Sequence, residues 1–279
     1  MTDVSSALVR ELVSELVGAG VDQREARWLV EEYVPGGEPA ARAALAVAAR
    51  RRVAGEPLQY VLGHWPFRGL DLDLDSRVLI PRPETEGVVD VALAQLARTD
   101  VAAPTILDLG CGSGAIGLAL LVELGQRGVV ASLVALDEST DALDVARRNA
   151  RKHRQLAVTF VRSSWFDALD SSLRGRFDLV VANPPYVGEG QFDSLDPVLR
   201  FEPRGALVAP DAHGVAGFAD LAVIIAGTRA WLSPGGALVC EHGADQRDDV
   251  LLAARRAGYG EVADLDDLAG RPRVLVARA

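Results

Sequence analysis

Asn183, Pro184, Pro185 and Tyr186 follow directly on the apolar run Phe177-Asp178-Leu179-Val180-Val181-Ala182. Asn183 offers a side-chain carbonyl oxygen, and Pro184, which has no N–H, offers only its main-chain carbonyl. Two acceptors held close together match the two hydrogens of a planar NH2 group. The nitrogen of such a group is a weak nucleophile, because its lone pair is delocalised into a carbonyl or an aromatic ring. Accepting both hydrogens holds the group in place, polarises it and favours the positive charge that develops as the nitrogen attacks. The Tyr186 ring is a candidate flat wall for the group so held, which makes all four residues candidate substrate contacts. Asn-Pro and Pro-Pro are also common punctuation of loops, so a strand-to-loop turn is the plain alternative that the tetrapeptide leaves open by itself.

A second stretch carries chemistry upstream. Leu107-Asp108-Leu109-Gly110-Cys111-Gly112-Ser113-Gly114 reads as a strand that enters a glycine-rich turn and opens a helix at Ala115. Glycines at 110, 112 and 114 permit a tight turn and let a ligand approach the backbone closely. Gly110, Cys111, Gly112, Ser113 and Gly114 are therefore candidate cofactor contacts, with Cys111 read as a small packing residue and not as a nucleophile. Such a turn could equally serve a dinucleotide. Two details favour S-adenosylmethionine over NAD: the spacing is G-x-G-x-G and not G-x-G-x-x-G, and Asp108 before it could face a cationic amino-acid portion. Asp137 closes the next apolar run, Leu133-Val134-Ala135-Leu136, where a carboxylate can accept hydrogen bonds from two ribose hydroxyls. With Ser139 and Asp141 just beyond, helix capping is the alternative for Asp137. Trp165 is a candidate cover for an adenine ring. Asn183 is counted with the cofactor contacts as well as the substrate contacts.

These residues need a sheet to hold them. From Thr105 onward, strands expected near residues 105–109, 129–136, 157–161, 177–182, 237–241, 260–264 and 273–278 alternate with helices near 115–124, 140–153, 215–231 and 245–257. That alternation predicts an α/β fold with a seven-stranded, mostly parallel sheet covered on both faces. Asn183 then lies at the carboxyl end of a buried strand, where open α/β sheets place their ligands. Pro272 before the last strand suggests a place at the sheet margin. Residues 187–214 show no clear element, and a long interval of that kind is commonly a lid or binding loop.

The first 60 residues differ in pattern. Leu8, Leu12 and Leu16 mark an amphipathic helix over 5–17. Asp22 with Glu25 resembles a capping box that opens a second helix toward Tyr33, which Pro35-Gly36-Gly37 would end. A third helix is expected over about 39–53, with Arg50-Arg51-Arg52 as its solvated end. Leu70, Leu72 and Leu74 alternate with Asp71, Asp73 and Asp75, the mark of a half-exposed strand that pairs with Trp65-Pro66-Phe67 as a hairpin. The expected division is a helical bundle over 1–60, a hairpin linker over 61–80 and the catalytic domain over 81–279, entered through a helix that runs to about Ala97.

Composition narrows the function. The chain has 279 residues, 49% of them apolar, enough for one large domain and a small one. No uninterrupted apolar stretch reaches the roughly 18 residues of a membrane span. Residues 1–6 lack the basic start and apolar core of a signal peptide, so the expected compartment is the cytoplasm. Twenty-nine basic against 39 acidic residues leave a charge of −10, which disfavours a protein that tracks a phosphate backbone. Cys111 and Cys240, the only cysteines, fall in expected interior segments, which argues against a disulfide, and four scattered histidines show no metal-ligand spacing.

With both motifs in hand, the chain resembles class I S-adenosylmethionine methyltransferases. More closely it resembles the HemK/PrmC family, the protein glutamine methyltransferases that modify peptide-chain release factors. The resemblance spans nearly the whole chain: Gly55-Glu56-Pro57-Leu58-Gln59-Tyr60, Leu79-Ile80-Pro81-Arg82-Pro83-Glu84-Thr85-Glu86, the turn at 107–114, Trp165-Phe166, Asn183-Pro184-Pro185-Tyr186, Arg200-Phe201-Glu202-Pro203 and Glu241-His242-Gly243. It implies that the glycine turn, Asp137 and Trp165 hold S-adenosylmethionine, with S-adenosylhomocysteine as product, and that Asn183 and Pro184 hold a glutamine amide. It also implies that Pro81–Glu86, with Arg82, Pro83 and Glu84 as substrate contacts, wall the site, and that the bundle recognises the protein substrate. Ser164 stands where relatives often carry Asp, so position 164 receives no role.

Three other readings stand beside this one. An adenine amino group in nucleic acid would suit the same acceptor pair, but the acidic balance and compact bundle argue against it. A glutamine of a ribosomal protein is a sister substrate that sequence separates poorly. A cofactor-binding protein without catalysis would be favoured by a broken tetrapeptide, and this one is intact. Glu84, Glu86 and Glu241 are carboxylates that could tune charge near the cofactor.

Overall fold

The computed structural model describes residues 4–34, 39–155 and 157–279. Helices α1 (Val4–Gly18), α2 (Gln23–Tyr33), α3 (Pro39–Val53) and α4 (Leu58–Leu62) bury Leu12, Leu16, Leu29, Val30, Leu45 and Leu58 in a core of their own. Asp22 caps α2 by accepting the N–H groups of Arg24 and Glu25 at 2.8 and 3.3 Å. The capping is one-sided, because the Glu25 carboxylate instead holds Arg52 on α3 at 2.7 Å. Arg51 likewise turns back to Glu56 and to the carbonyl of Tyr60. The expected solvated end of α3 is thus corrected for two of its three arginines, which cross-link the bundle. The expected stop at Pro35-Gly36-Gly37 lies outside the described residues.

Strands β1 (His64–Phe67) and β2 (Leu70–Asp73) form the antiparallel hairpin that the alternation of Leu and Asp predicts, with Leu70 and Leu72 buried. A 3₁₀ turn at Pro83–Thr85 then leads into α5 (Glu86–Leu96).

The remaining chain alternates as β3 (Thr105–Leu109), α6 (Ala115–Gln126), β4 (Ser132–Asp137), α7 (Thr140–Lys152), β5 (Val158–Arg162), β6 (Phe177–Ala182), short β7 (Val187–Gly188) and β8 (Val208–Ala209), α8 (Ala219–Thr228), β9 (Leu232–Glu241), α9 (Arg247–Arg256), β10 (Glu261–Asp266) and β11 (Pro272–Arg278). Seven strands make one sheet in the order β10-β11-β9-β6-β3-β4-β5, all running the same way except β11, which is antiparallel to both of its neighbours. Side chains alternate between the two faces. Ile106, Leu179 and Val181 join the core under α5, α6 and the hairpin, whereas Leu107, Val180 and Ala182 join the core under α8 and α9. Both faces are covered, so β6 is apolar at nearly every position. The chain leaves β3 for β4 on one side and returns to β6 on the other, and this reversal opens a crevice at the carboxyl ends of β3, β4 and β6.

Three local expectations change. Strand β11 is interior, not marginal; Pro272 is tolerated because it is the first residue, before pairing with β9 begins at Val274. The helix expected over 215–231 starts only at Ala219, because Gly217 sits at a φ of 63° and packs against the backbone of Tyr186. Residues 187–214 contain the β7–β8 pair and three 3₁₀ turns, at Glu189–Ser194, Pro197–Phe201 and Arg204–Ala206.

Candidate active site

A cavity of about 280 Å³ fills the crevice, walled by the glycine turn after β3, Asp137 after β4, Trp165 after β5 and Asn183, Pro184 and Pro185 after β6. Each side chain is delivered by a strand end, so strand register places them without needing long side chains. Gly110, Gly112 and Gly114 all have positive φ, at 69, 54 and 83°. A Cβ at Gly110 would lie 3.4 Å from the Trp165 ring, and one at Gly112 would meet nothing within 4 Å and project into open space, the shape of a backbone cradle. The turn is braced by the Cys111 N–H on the Leu136 carbonyl at 2.8 Å and by the Gly112 N–H on Asp137 Oδ2 at 2.9 Å. Asp137 also accepts the Ser139 N–H at 2.9 Å, while the cap of α7 itself is the Ser139 hydroxyl. Trp165 has a φ of 43° and donates its indole N–H to Asp220 at 3.0 Å, which turns the ring along the cavity beside Gly110.

Asp108 lies beneath the turn, 1% exposed and off the cavity wall, with Oδ2 accepting the Gly117 N–H at 3.0 Å. Burial pushes its carboxyl up to about 7, the Gly117 N–H opposing and the Asp137 charge adding to the rise. Burial also raises Asp137, against the N–H groups of Ser139 and Gly112, and raises Asp220, against the Trp165 N–H. Arg77, the one cationic side chain among the described wall residues, is already paired with Asp75 at 2.7 Å. The cavity therefore gathers carboxylates that a cationic ligand would relieve.

At the other end of the cavity, Asn183 donates from Nδ2 to the Thr85 hydroxyl at 3.2 Å, and Thr85 donates to Glu241 Oε2 at 2.7 Å. No described residue donates to Asn183 Oδ1 or to the Pro184 carbonyl. The side chain of Tyr186 leaves the cavity wall. Its hydroxyl donates to Glu241 Oε1 at 3.2 Å, and its backbone carbonyl accepts the Gln246 amide at 3.2 Å. Glu241 is 1% exposed and its carboxyl is raised by burial, against Thr85, Arg273 and Tyr186.

The stretch Pro81–Glu86 divides. Pro81 and Thr85 line the cavity; Arg82, Pro83 and Glu84 do not. Arg82 reaches Glu202 at 2.5 Å, Pro83 opens the 3₁₀ turn and Glu84 meets Arg271 at 3.2 Å near the surface. Glu202, 5% exposed, also accepts the Ile80 N–H at 3.0 Å and so clamps the 187–214 segment to the wall. Thr85 falls within the stretch implied to wall the site but carries no role of its own there; it stands at the start of α5 and makes no cap hydrogen bond. Sequence reasoning passed over Asp220 and Pro203, which line the cavity. Pro203 stands in a stretch already marked by resemblance, whereas nothing near Asp220 announces it. Cys111 and Cys240 are buried free thiols, and no cluster of metal-ligating side chains occurs among the described residues.

Comparison with known proteins agrees with this architecture. Residues 86–197 match the model of the "Methyltransferase small domain" family. A T. thermophilus 16S rRNA N2 methyltransferase, solved with AdoMet and guanosine, shares the fold with a TM-score of 0.52 and 19% identity, over 77% of this chain and 49% of that one. The release factor glutamine methyltransferase of Burkholderia pseudomallei is 43% identical over 241 residues, 85% of this chain and 80% of the relative. That of Bordetella pertussis is 40% identical over 263 residues, 94% and 93% of the two chains. At that identity over nearly the full length, the chain belongs to the release factor glutamine methyltransferase family.

Proposed function

We propose that the protein transfers the methyl group of S-adenosylmethionine to the side-chain amide nitrogen of the glutamine in the Gly-Gly-Gln motif of peptide-chain release factors. The observation that carries this reading is the pair of unclaimed acceptors, Asn183 Oδ1 and the Pro184 carbonyl, in the same cavity as the glycine turn. The names of the relatives, at about 40% identity, supply the substrate class.

The residues fit the cofactor. The glycine turn admits close approach, Asp137 offers carboxylate oxygens to ribose hydroxyls, Trp165 offers a ring face and the raised carboxyls favour a sulfonium or ammonium nearby. When bound, S-adenosylmethionine supplies an electrophilic methyl group. The chain orients the nucleophile: Asn183 and Pro184 accept the two amide hydrogens, which turns the nitrogen lone pair toward the donor side and stabilises charge growing on nitrogen. Pro185 adds an apolar wall that keeps water out. No dedicated base is required, because the alkylated nitrogen is acidic and loses its proton afterwards. Arg82, Pro83 and Glu84 act behind the wall, through Glu202 and the 3₁₀ turn. The helical bundle over residues 1–60 and the hairpin over 61–80 form the docking side for the protein substrate, and the cytoplasm, where release factors act, is the site of the reaction. No helix among the described residues is long and apolar enough to cross a membrane.

The test is incubation with labelled S-adenosylmethionine and, in parallel, a bacterial release factor, its copy with the Gly-Gly-Gln glutamine changed to alanine, a ribosomal-protein fraction and duplex DNA. Label in the intact factor alone is expected; label only in another substrate refutes the assignment. Asn183→Ala should abolish turnover and leave cofactor affinity within about threefold, since uniform loss of both would mark a collapsed pocket.

A further inference from the structure

We propose that Thr85 and Glu241 are positioning residues that decide which end of the Asn183 amide faces the cavity, with the Tyr186 hydroxyl holding Glu241 in place. The proposal rests on the acceptor role given to Asn183 above and explains what enforces it.

An asparagine amide presents either an oxygen or an NH2 group to its surroundings, and the two differ by a half-turn of the side chain. Only the oxygen accepts a substrate N–H. Asn183 has little intrinsic preference, so the choice comes from its partner at the other end, the Thr85 hydroxyl at 3.2 Å. A hydroxyl has one proton. Thr85 spends it on Glu241 Oε2, 2.7 Å away, because a carboxylate only accepts. What Thr85 then shows to Asn183 is a lone pair, to which the NH2 end alone is complementary. Turning the amide over would set oxygen against oxygen beside two buried groups, Thr85 at 3% and Glu241 at 1% exposure. The penalty for an unmade buried hydrogen bond disfavours that arrangement roughly tenfold to a hundredfold. The polarity of the whole chain of bonds is thus set by Glu241, two hydrogen bonds from the cavity.

Glu241 sits at the end of β9 and is itself secured. Its second oxygen accepts the Tyr186 hydroxyl at 3.2 Å, and the Arg273 guanidinium stands 6.0 Å from the centre of the Tyr186 ring with Nη1 on the His242 carbonyl at 3.0 Å. The groups facing this carboxylate are therefore Thr85 from the 3₁₀ turn, Tyr186 from the loop after β6 and Arg273 from β11, with the Glu84 charge opposing. A protonated Glu241 could donate to Thr85, which would free the Thr85 proton for Asn183 and reverse the amide.

The chain contains two asparagines, Asn149 and Asn183. Protein labelled with ¹⁵N-asparagine therefore shows two side-chain amide pairs, and Asn149 serves as an internal control because its amide is bonded elsewhere, to Asp73 and Ser113. Thr85→Val should shift the Asn183 pair and speed exchange of its bonded proton, leave the Asn149 pair unmoved and leave S-adenosylmethionine affinity unchanged. With the release factor at saturation, kcat should fall about a hundredfold, the scale of a misaimed reactant. Thr85→Ser, which keeps the hydroxyl, should restore both the signal and kcat. Wild-type kcat at saturating cofactor should fall toward acid pH as Glu241 takes up a proton, and Glu241→Gln, whose charge does not change, should lack that fall. An Asn183 pair indifferent to Thr85→Val, or a loss that Thr85→Ser does not restore, overturns the proposal. A wild-type protein that methylates no release factor, yet shows the Thr85-dependent Asn183 signal, would refute the substrate assignment and uphold the positioning role.

Discussion

Asp108→Asn offers a quantitative test of the buried carboxyl under the glycine turn. A folded-state value near 7, against 3.8 for the exposed group, means that the folded protein holds the Asp108 proton more tightly than the unfolded chain. Stability is therefore greatest below the unfolded value, falls as pH rises through the interval between the two and is level above the folded value. Linkage puts the cost of ionising this carboxyl at about 2 kcal/mol at about pH 5 and about 4 kcal/mol at about pH 8. Asparagine keeps an oxygen for the Gly117 N–H and carries no charge, so it removes that slope. Its NH2 group can add an offset of about 1–3 kcal/mol if it finds no acceptor, but the offset does not vary with pH. Urea unfolding of the cofactor-free proteins at both pH values is the assay. The stability difference between the variant and the wild type should move in the variant's favour by about 2–3 kcal/mol between about pH 5 and about pH 8. Asp137, Asp220 and Glu241 titrate in both proteins and largely cancel in the difference. Parallel pH profiles would falsify the reasoning, because they would mean that burial at Asp108 does not disfavour its charge.

Two further substitutions probe the frame of the site. Gly217→Ala places a Cβ 2.3 Å from the Tyr186 carbonyl oxygen at a φ of 63°, where backbone cannot yield cheaply. It should cost about 2–4 kcal/mol and lower kcat by displacing the loop after β6; unchanged melting and turnover would contradict this account. Asn149→Leu strands the Asp73 N–H and the carbonyls of Asp73 and Ser113, groups that Asn149 joins at 2.7, 3.1 and 2.9 Å. A loss of about 2–4 kcal/mol is expected, with faster hydrogen exchange at the Asp73 amide; retention of that amide's protection would show that the tie lies elsewhere.

The parts of this site that local sequence reveals are those made by backbone conformation. The run Leu107–Gly114 announces a strand, a turn and a helix because glycine at positive φ has few other uses, and β6 announces burial on two faces by its unbroken apolar character. Side-chain destinations are another matter. Tyr186 and Arg82 stand in marked stretches, yet their partners Glu241 and Glu202 lie 55 and 120 positions away, and only the completed fold brings them together. Thr85 stands at a helix start, where local partners are the ones sequence can suggest, whereas its acceptor is 156 positions distant. Pro272 misleads for the same reason, since the place of a strand within a sheet is decided by the order of strands and not by the residues within one. Arg51 and Arg52 read as a charged end until Glu56 and Glu25 are seen opposite them.

The hairpin that joins the bundle to the sheet is nailed down at several points. Arg68 at its tip holds Glu123 on α6, Lys152 on α7 holds Asp71 and Asp73, and the Asn149 amide grips the Asp73 backbone. On the bundle side, Trp65 meets Trp28 edge to face at 5.8 Å, and the Tyr60 hydroxyl donates to the Val78 carbonyl at 2.5 Å. A connection of this kind transmits position where a flexible tether would transmit only proximity. With the docking proposed above, a large substrate would meet two surfaces whose separation and angle are settled before it arrives, so little ordering entropy would be lost and more of the contact energy would remain as affinity. On that proposal the same stiffness would act as a geometric filter, passing a glutamine to the acceptors only when it is carried on a protrusion whose base matches the bundle's offset from the crevice.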